Sequence, residues 1–303
     1  MFRSAIFKGY FFTIIGAIAL GNVYIFSKIA LNEIHLAQFG TYWFGFGLIW
    51  NFLYVLSRKK RLNLRGISRK SLISVVIIGL IELVATSLFY ITIRIIENPA
   101  IVSFIANLIP FFVALIGISF LKERFNFIEL AGMGLTLFGS ILISYQRGNS
   151  IGDFFIKGAE LVVLFSLLFA LSIIKAKRTL KKVDPAILSF IRILFLFVFS
   201  LVMLIALNES MIISHKAIKH IFIGSLLGPF LNSVTIYIAL KYIEASRATM
   251  LRSIRSVFVL IAAYIYFSTF PLLYQLIGGS ISILGVIIMS YGQTLKGKSL
   301  MFR

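Results

Sequence analysis

The sequence predicts an all-α integral membrane protein with ten transmembrane helices in two inverted five-helix repeats. Three features predict it. Apolar runs of about 20 residues recur along the chain, each long enough to cross roughly 30 Å of hydrocarbon. Lysine and arginine fall mostly in alternate connections between those runs. A weak internal repeat relates the two halves at a spacing of 146 to 149 residues.

The composition supports a bilayer rather than water as solvent. Of 303 residues, 60% are hydrophobic and 13% charged, and the mean hydropathy is +1.01. Soluble domains carry roughly 45–50% apolar residues, so a soluble fold could not bury this much. A formal net charge of +20 would suggest nucleic acid if the cations formed one patch, but they sit in short connections, so no nucleic-acid partner is expected. There is no cysteine, which excludes disulfides and thiolate metal sites.

The first span, 10–30, follows Arg3 and Lys8 and ends in Ser27-Lys28-Ile29. It lacks a small-residue cleavage site and reads as a retained helix rather than a removed leader. Span two, 36–57, stops at Arg58-Lys59-Lys60-Arg61. Span three, 71–94, carries Glu82 near its middle, and span four, 98–120, carries Pro110. Spans five to seven cover 126–146, 157–175 and 185–206. Span eight, 218–240, contains Pro229; span nine, 245–267, contains Arg252 and Arg255; span ten covers 271–292. All are continuously apolar and lack the alternation of barrel strands.

Of the 30 lysines and arginines, 21 lie in one alternate set of connections and termini and five in the other. Because cationic segments resist translocation, both termini are expected in the cytoplasm of a multi-pass cell-membrane protein, which requires an even number of spans. In the repeat, Lys8-Gly9 and Lys28 recur 149 residues on as Lys157-Gly158 and Lys177. Gly132 and Gly139 recur 146 residues on as Gly278 and Gly285. The expected units are 1–148 and 149–303. Five spans per repeat is an odd number, so the second enters the membrane in the opposite sense. Such a pair supplies two exchangeable conformations around a shared midplane site.

An ionisable group at the bilayer centre costs about 2.5–3.5 kcal/mol on insertion scales, so deep ones are candidates for function. Glu82, Arg192, Arg252 and Arg255 qualify. Lys28, Glu129 and Glu160 lie near span ends and are expected to anchor at the interface. Ser103, Asn107 and Pro110 share a helical face, and the repeat maps them onto Thr249, Ser253 and Ser256. Arg252 lies closer to that second face than Arg255, which makes it the better candidate for a cation facing a cavity. The expected substrate-binding set is Arg252, Asn107, Ser253, Tyr90, Asn22, Asn232, Tyr237, Arg192 and Arg255. Glu82 is expected either to load a proton or to serve as counter-ion to a buried arginine. The paired glycines read as close-packing points, and Pro110 and Pro229 as kinks or openings.

Several segments resemble the EamA branch of the drug/metabolite transporter superfamily. In the first half they are Ser87-Leu88-Phe89-Tyr90, Asn98-Pro99-Ala100, Leu108-Ile109-Pro110, Leu121-Lys122-Glu123-Arg124, Gly132 and Gly139. In the second they are Lys182-Val183-Asp184-Pro185, Arg192, Glu244-Ala245-Ser246-Arg247-Ala248 and Gln275-Leu276-Ile277-Gly278. The chain departs from that pattern at Trp43, where such proteins often carry arginine, at Thr269, where glutamate is common, and at Arg255-Ser256, which replaces a common Glu-Pro.

The resemblance implies a secondary transporter, exporter or exchanger, of small metabolites such as amino acids. It implies partners limited to a small-molecule substrate, the lipid bilayer and a proton or counter-substrate, in a monomer or homodimer. An anionic or phosphorylated metabolite held by the span-nine arginines is the alternative, and a non-transport receptor or assembly factor a third reading. Gly292-Gln293-Thr294-Leu295-Lys296-Gly297-Lys298-Ser299 and Gly148-Asn149-Ser150-Ile151-Gly152 fit the phosphate-loop and G-x-S-x-G patterns, but each follows an apolar helical run rather than a strand, and no HExxH pair is present. Direct ATP driving, catalysis, cofactors and metal are therefore not expected.

Overall fold

In the computed structural model, which describes residues 2–57, 68–121, 125–145 and 156–301, the helices follow the apolar runs. They are α1 (Phe2–Leu31), α2 (Leu36–Ser57), α3 (Arg69–Ile95), α4 (Pro99–Ile105), α5 (Leu108–Leu121), α6 (Phe127–Ser144), α7 (Ala159–Thr179), α8 (Pro185–Ala206), α9 (His215–Ser225), α10 (Ser233–Tyr242), α11 (Ala245–Arg252), α12 (Arg255–Phe267) and α13 (Leu273–Met301). A π-helical stretch, Leu226–Asn232, joins α9 to α10. Among the described residues, nine stretches are long and apolar enough to cross a membrane. The 22-residue α2, diluted by Gln38, Thr41 and Asn51, completes the ten. The expected unit boundary at 148/149, the cations of 58–65 and the Lys122-Glu123-Arg124 motif lie outside the described residues.

Three of the ten spans are not the continuous helices the apolar pattern predicts. Span four breaks between α4 and α5 at Ala106 and Asn107. Pro110 lacks an N–H and its ring crowds the carbonyl four residues earlier, which is that of Ala106. The Ala106 carbonyl instead accepts from the Ile109 N–H at 3.1 Å and from the Arg255 Nη2 at 2.9 Å. Span nine breaks between α11 and α12 at Ser253 and Ile254 without any proline. Tighter bonds hold the turn, Ser253 N–H to Met250 carbonyl at 3.0 Å and Ser256 N–H to Ser253 carbonyl at 3.1 Å. Ser256 stands where the first repeat has Pro110, and its hydroxyl donates to the Ser103 carbonyl at 3.0 Å. The two breaks are repeat-equivalent, and they touch. Span eight opens around Pro229, as the missing N–H requires.

The paired glycines join the repeats. A Cβ on Gly132 would stand 2.6 Å from the Gly285 carbonyl oxygen, and one on Gly139 would stand 2.6 Å from that of Gly278. The backbones of α6 and α13 are therefore in direct contact, with the two glycine pairs crossed as antiparallel helices demand. Outward from the bundle, Ile49, Leu53, Leu80, Val202, Ile261 and Ile265 are exposed. Such a surface would aggregate in water and is what a lipid-facing wall requires.

Lys28 does not anchor at the interface. It is buried, and its Nζ donates to the carbonyls of Arg94 at 3.2 Å and Ile96 at 2.9 Å, capping the C-terminus of α3. Its repeat mate Lys177 donates to the carbonyls of Leu240 at 2.6 Å and Ile243 at 2.7 Å, capping α10 at the opposite end of the bundle. A cation on helix-terminal carbonyls satisfies acceptors with no intrahelical donor and complements the helix dipole. Replacing either lysine by methionine is expected to destabilise the protein by about 1–3 kcal/mol, the cost of leaving such acceptors unpaired, as read by denaturant unfolding in detergent. At the Lys28 end, Glu33 accepts from Lys216 at 2.7 Å and from Ser214 at 2.6 Å. These bonds hold the Glu33 carboxyl below its ordinary pKa.

Candidate functional site

Eight of the ten spans surround a cavity of about 110 Å³, the exceptions being the glycine-paired α6 and α13. Its wall takes Tyr24 from α1, Phe44 from α2, Glu82, Thr86, Phe89 and Tyr90 from α3, and Ile109 from α5. The second repeat supplies Phe165 and Phe169 from α7, Arg192 from α8, Asn232 from the π stretch, Ser233 and Tyr237 from α10, Thr249 and Arg252 from α11, and Arg255 from α12. Both repeats thus contribute. The broken fourth span of each meets the other beside the cavity.

Glu82 and Arg192 form its one ion pair among the described residues, Arg192 Nε donating to Glu82 Oε2 at 2.8 Å. The Ser172 hydroxyl donates to Glu82 Oε1 at 2.6 Å, so both carboxylate oxygens are engaged. Arg192 Nη1 also donates to Ser233 Oγ at 2.6 Å and Nη2 to Thr86 Oγ1 at 3.4 Å. This network ties α3, α7, α8 and α10 together. Pairing and hydrogen bonding are what allow a buried charge to persist.

Arg252 and Arg255 are held differently. Both are buried, at 9% and 2% exposure. Arg252 Nη2 donates to Asn232 Oδ1. Arg255 Nη1 donates to the Arg252 carbonyl at 3.4 Å and Nη2 to that of Ala106. Their Nε atoms have no partner. Neither has a carboxylate within ion-pair distance among the described residues.

Aromatic rings form much of the remaining wall, beside aliphatic Leu20, Val23, Ile109, Ile173 and Ile236. Tyr24 meets Phe89 edge-on at 5.0 Å, Phe89 meets Tyr90 at 4.9 Å and Phe165 at 5.6 Å. Trp43 does not reach the wall. It is fully buried, 6.0 Å from the Tyr90 ring and 4.8 Å from that of Phe39, with Gly224 and Gly228 packed on its indole. The neutral indole there needs no counter-charge.

Of the ten residues singled out from sequence, the structure brings Glu82, Tyr90, Arg192, Asn232, Tyr237, Arg252 and Arg255 to the cavity wall. Arg255 reaches it although a straight helix would turn it away, because the break at Ser253 and Ile254 re-aims α12. Three stand off the wall. Asn22 donates to the Ile18 carbonyl of its own helix at 3.0 Å. Asn107 is fully buried between the broken spans and accepts from the Ser256 hydroxyl at 3.2 Å, while its amide nitrogen has no partner. Ser253 lies in the second break, its hydroxyl 3.5 Å from the Thr249 carbonyl. Nothing in the sequence singles out Thr86, Ser172 or Ser233, since small hydroxyls in apolar helices usually bond their own backbone.

Comparison with known proteins agrees with this architecture. The model of the EamA-like transporter family matches twice, over residues 7–145 and 156–291. A solved crystal structure, described only as that of a protein, is 15% identical and superposes with a TM-score of 0.71 over 95% of this chain and 98% of its own. At that identity the likeness is one of fold. No curated protein matches.

Proposed function

We propose, from the premise that this chain belongs to the EamA-like transporter family, that it is a secondary transporter of small organic metabolites working by alternating access around the cavity. The family is one of membrane transporters, and the chain is a multi-pass membrane protein. The observation that carries the finer reading is the meeting of two broken helices, one from each repeat, beside a cavity lined by both. Non-helical backbone at membrane depth persists only where protein or a solute cavity covers it. Inverted repeats offer two packings of similar energy around such a point, and rocking one repeat against the other exposes the cavity to each side in turn.

In this reading Glu82 is the fixed counter-ion of Arg192, because both its oxygens are already engaged. In the same reading the basic connections face the cytoplasm, with both termini on that side of the cell membrane, as the bias of lysine and arginine favours. Driving energy comes from a solute gradient or exchange, and the direction is export or exchange. Counterflow in liposomes tests the proposal. Proteoliposomes preloaded with one member of an amino-acid and organic-acid panel should accumulate its labelled counterpart transiently. Absence of counterflow for every member, with folded protein in the vesicles, would contradict it.

A further inference from the structure

We propose that the cavity selects a small organic dianion, with its two negative charges against Arg252 and Arg255 and its apolar body against the aromatic wall. This rests on reading the cavity as the substrate site. The charged groups lining it, among the described residues, are Glu82, Arg192, Arg252 and Arg255. One carboxylate against three guanidiniums leaves two positive charges uncompensated, and the pairing shows which two. Glu82 is committed to Arg192. Arg252 and Arg255 bond only an amide oxygen and backbone carbonyls, and each keeps a buried Nε–H without an acceptor.

A guanidinium far from water is retained at a cost of several kcal/mol unless an anion answers it, and two on adjacent turns also repel each other. A zwitterion leaves both excess charges standing. A monoanion answers one. A dianion neutralises the site, and oxyanions match the forked donors of arginine. Inorganic phosphate or sulfate would supply the charge but leave Tyr24, Phe89, Tyr90 and Phe165 facing water, forgoing the apolar contact that stabilises an organic body.

Matched probes test this on purified protein. Succinate and succinamate share size and shape and differ by one charge. Phenylsuccinate and phenyl phosphate add an aromatic body to a dicarboxylate and a phosphate monoester. Leucine is the zwitterion, and inorganic phosphate tests the bare ion. Succinate should bind at least about ten-fold more tightly than succinamate, phenylsuccinate or phenyl phosphate tighter again, and the better of these two identifies the oxyanion. In Arg252→Gln the preference for succinate over succinamate should collapse, while Arg252→Lys should keep part of it. Equal binding of succinate and succinamate, tighter binding of leucine, or binding of inorganic phosphate alone would overturn the proposal. The same probes in counterflow separate the two readings. Charge-selective binding without counterflow contradicts transport and leaves the dianion site standing; leucine counterflow without dianion binding does the reverse.

Discussion

Glu82→Ala is expected to be among the most damaging single substitutions in the protein. It removes the one carboxylate in the cavity and strands Arg192, whose side chain is only 12% exposed, with Ser233 and Thr86 hydroxyls as its remaining partners. Breaking a buried pair by deleting one partner costs about 3–5 kcal/mol, because a charge is left without an answer. A charge-free pair costs far less, so the double variant Glu82→Gln/Arg192→Gln should recover most of the loss. Denaturant unfolding of wild type, both single variants and the double variant in one detergent gives the coupling directly. Additive effects would show that the 2.8 Å contact contributes no specific stability. Uptake that becomes independent of a pH gradient in Glu82→Gln, with the fold intact, would assign Glu82 to proton coupling instead.

The second large effect is steric. Gly139→Leu should cost about 1–3 kcal/mol or more, the overpacking range, because the new side chain would have to displace the α13 backbone. A Cβ at Gly139 already falls 2.6 Å from the Gly278 carbonyl oxygen and 2.6 Å from the Ser282 nitrogen. Neither can move without moving the helix. Gly134, five residues away on the same helix, faces outward with nothing within 4 Å of its Cβ position. Gly134→Leu is the matched control and should unfold like wild type. If both variants behave alike, helix propensity rather than the α6–α13 contact governs this region. The mirror substitution Gly278→Leu should reproduce the loss, since the two helices meet at crossed glycine pairs.

These two regions were legible in the sequence to different degrees. The 146-residue register of Gly132, Gly139, Gly278 and Gly285 marks the α6–α13 contact, because glycine in an apolar helix has few other uses. Glu82 and Arg192 stand out as charges in the membrane, but the sequence does not say that they pair. They lie 110 residues apart, and only the packing of α3 on α8 brings them together. Lys28 reads as an interfacial lysine because its acceptors are carbonyls 66 and 68 residues away, which no side-chain pattern reveals.

The breaks divide in the same way. Pro110 announces the interruption at Ala106, through a missing N–H and a crowded carbonyl. Nothing at Ser253 or Ile254 announces the second one, as neither glycine nor proline is there, and treating span nine as one straight helix turns Arg255 from the cavity. Its repeat relation to the first break is the one signal that could have found it. Asn22 fails as a wall residue for a local reason. Its amide satisfies itself on the preceding turn, an outcome open to any asparagine in an apolar helix.

Thiol accessibility distinguishes a cavity that is the transport site, reached from each side of the membrane in turn, from one that is not. The chain has no cysteine, so a single Thr86→Cys is the only thiol and replaces a buried wall residue by one of similar size. In right-side-out and inside-out vesicles, a membrane-impermeant thiol reagent should label Cys at position 86 from both sides. Bound substrate should slow both reactions, and Gly134→Cys on the lipid-facing surface should stay unlabelled. Labelling of position 86 from one side alone, or from neither, under every substrate condition would contradict alternating access through this cavity.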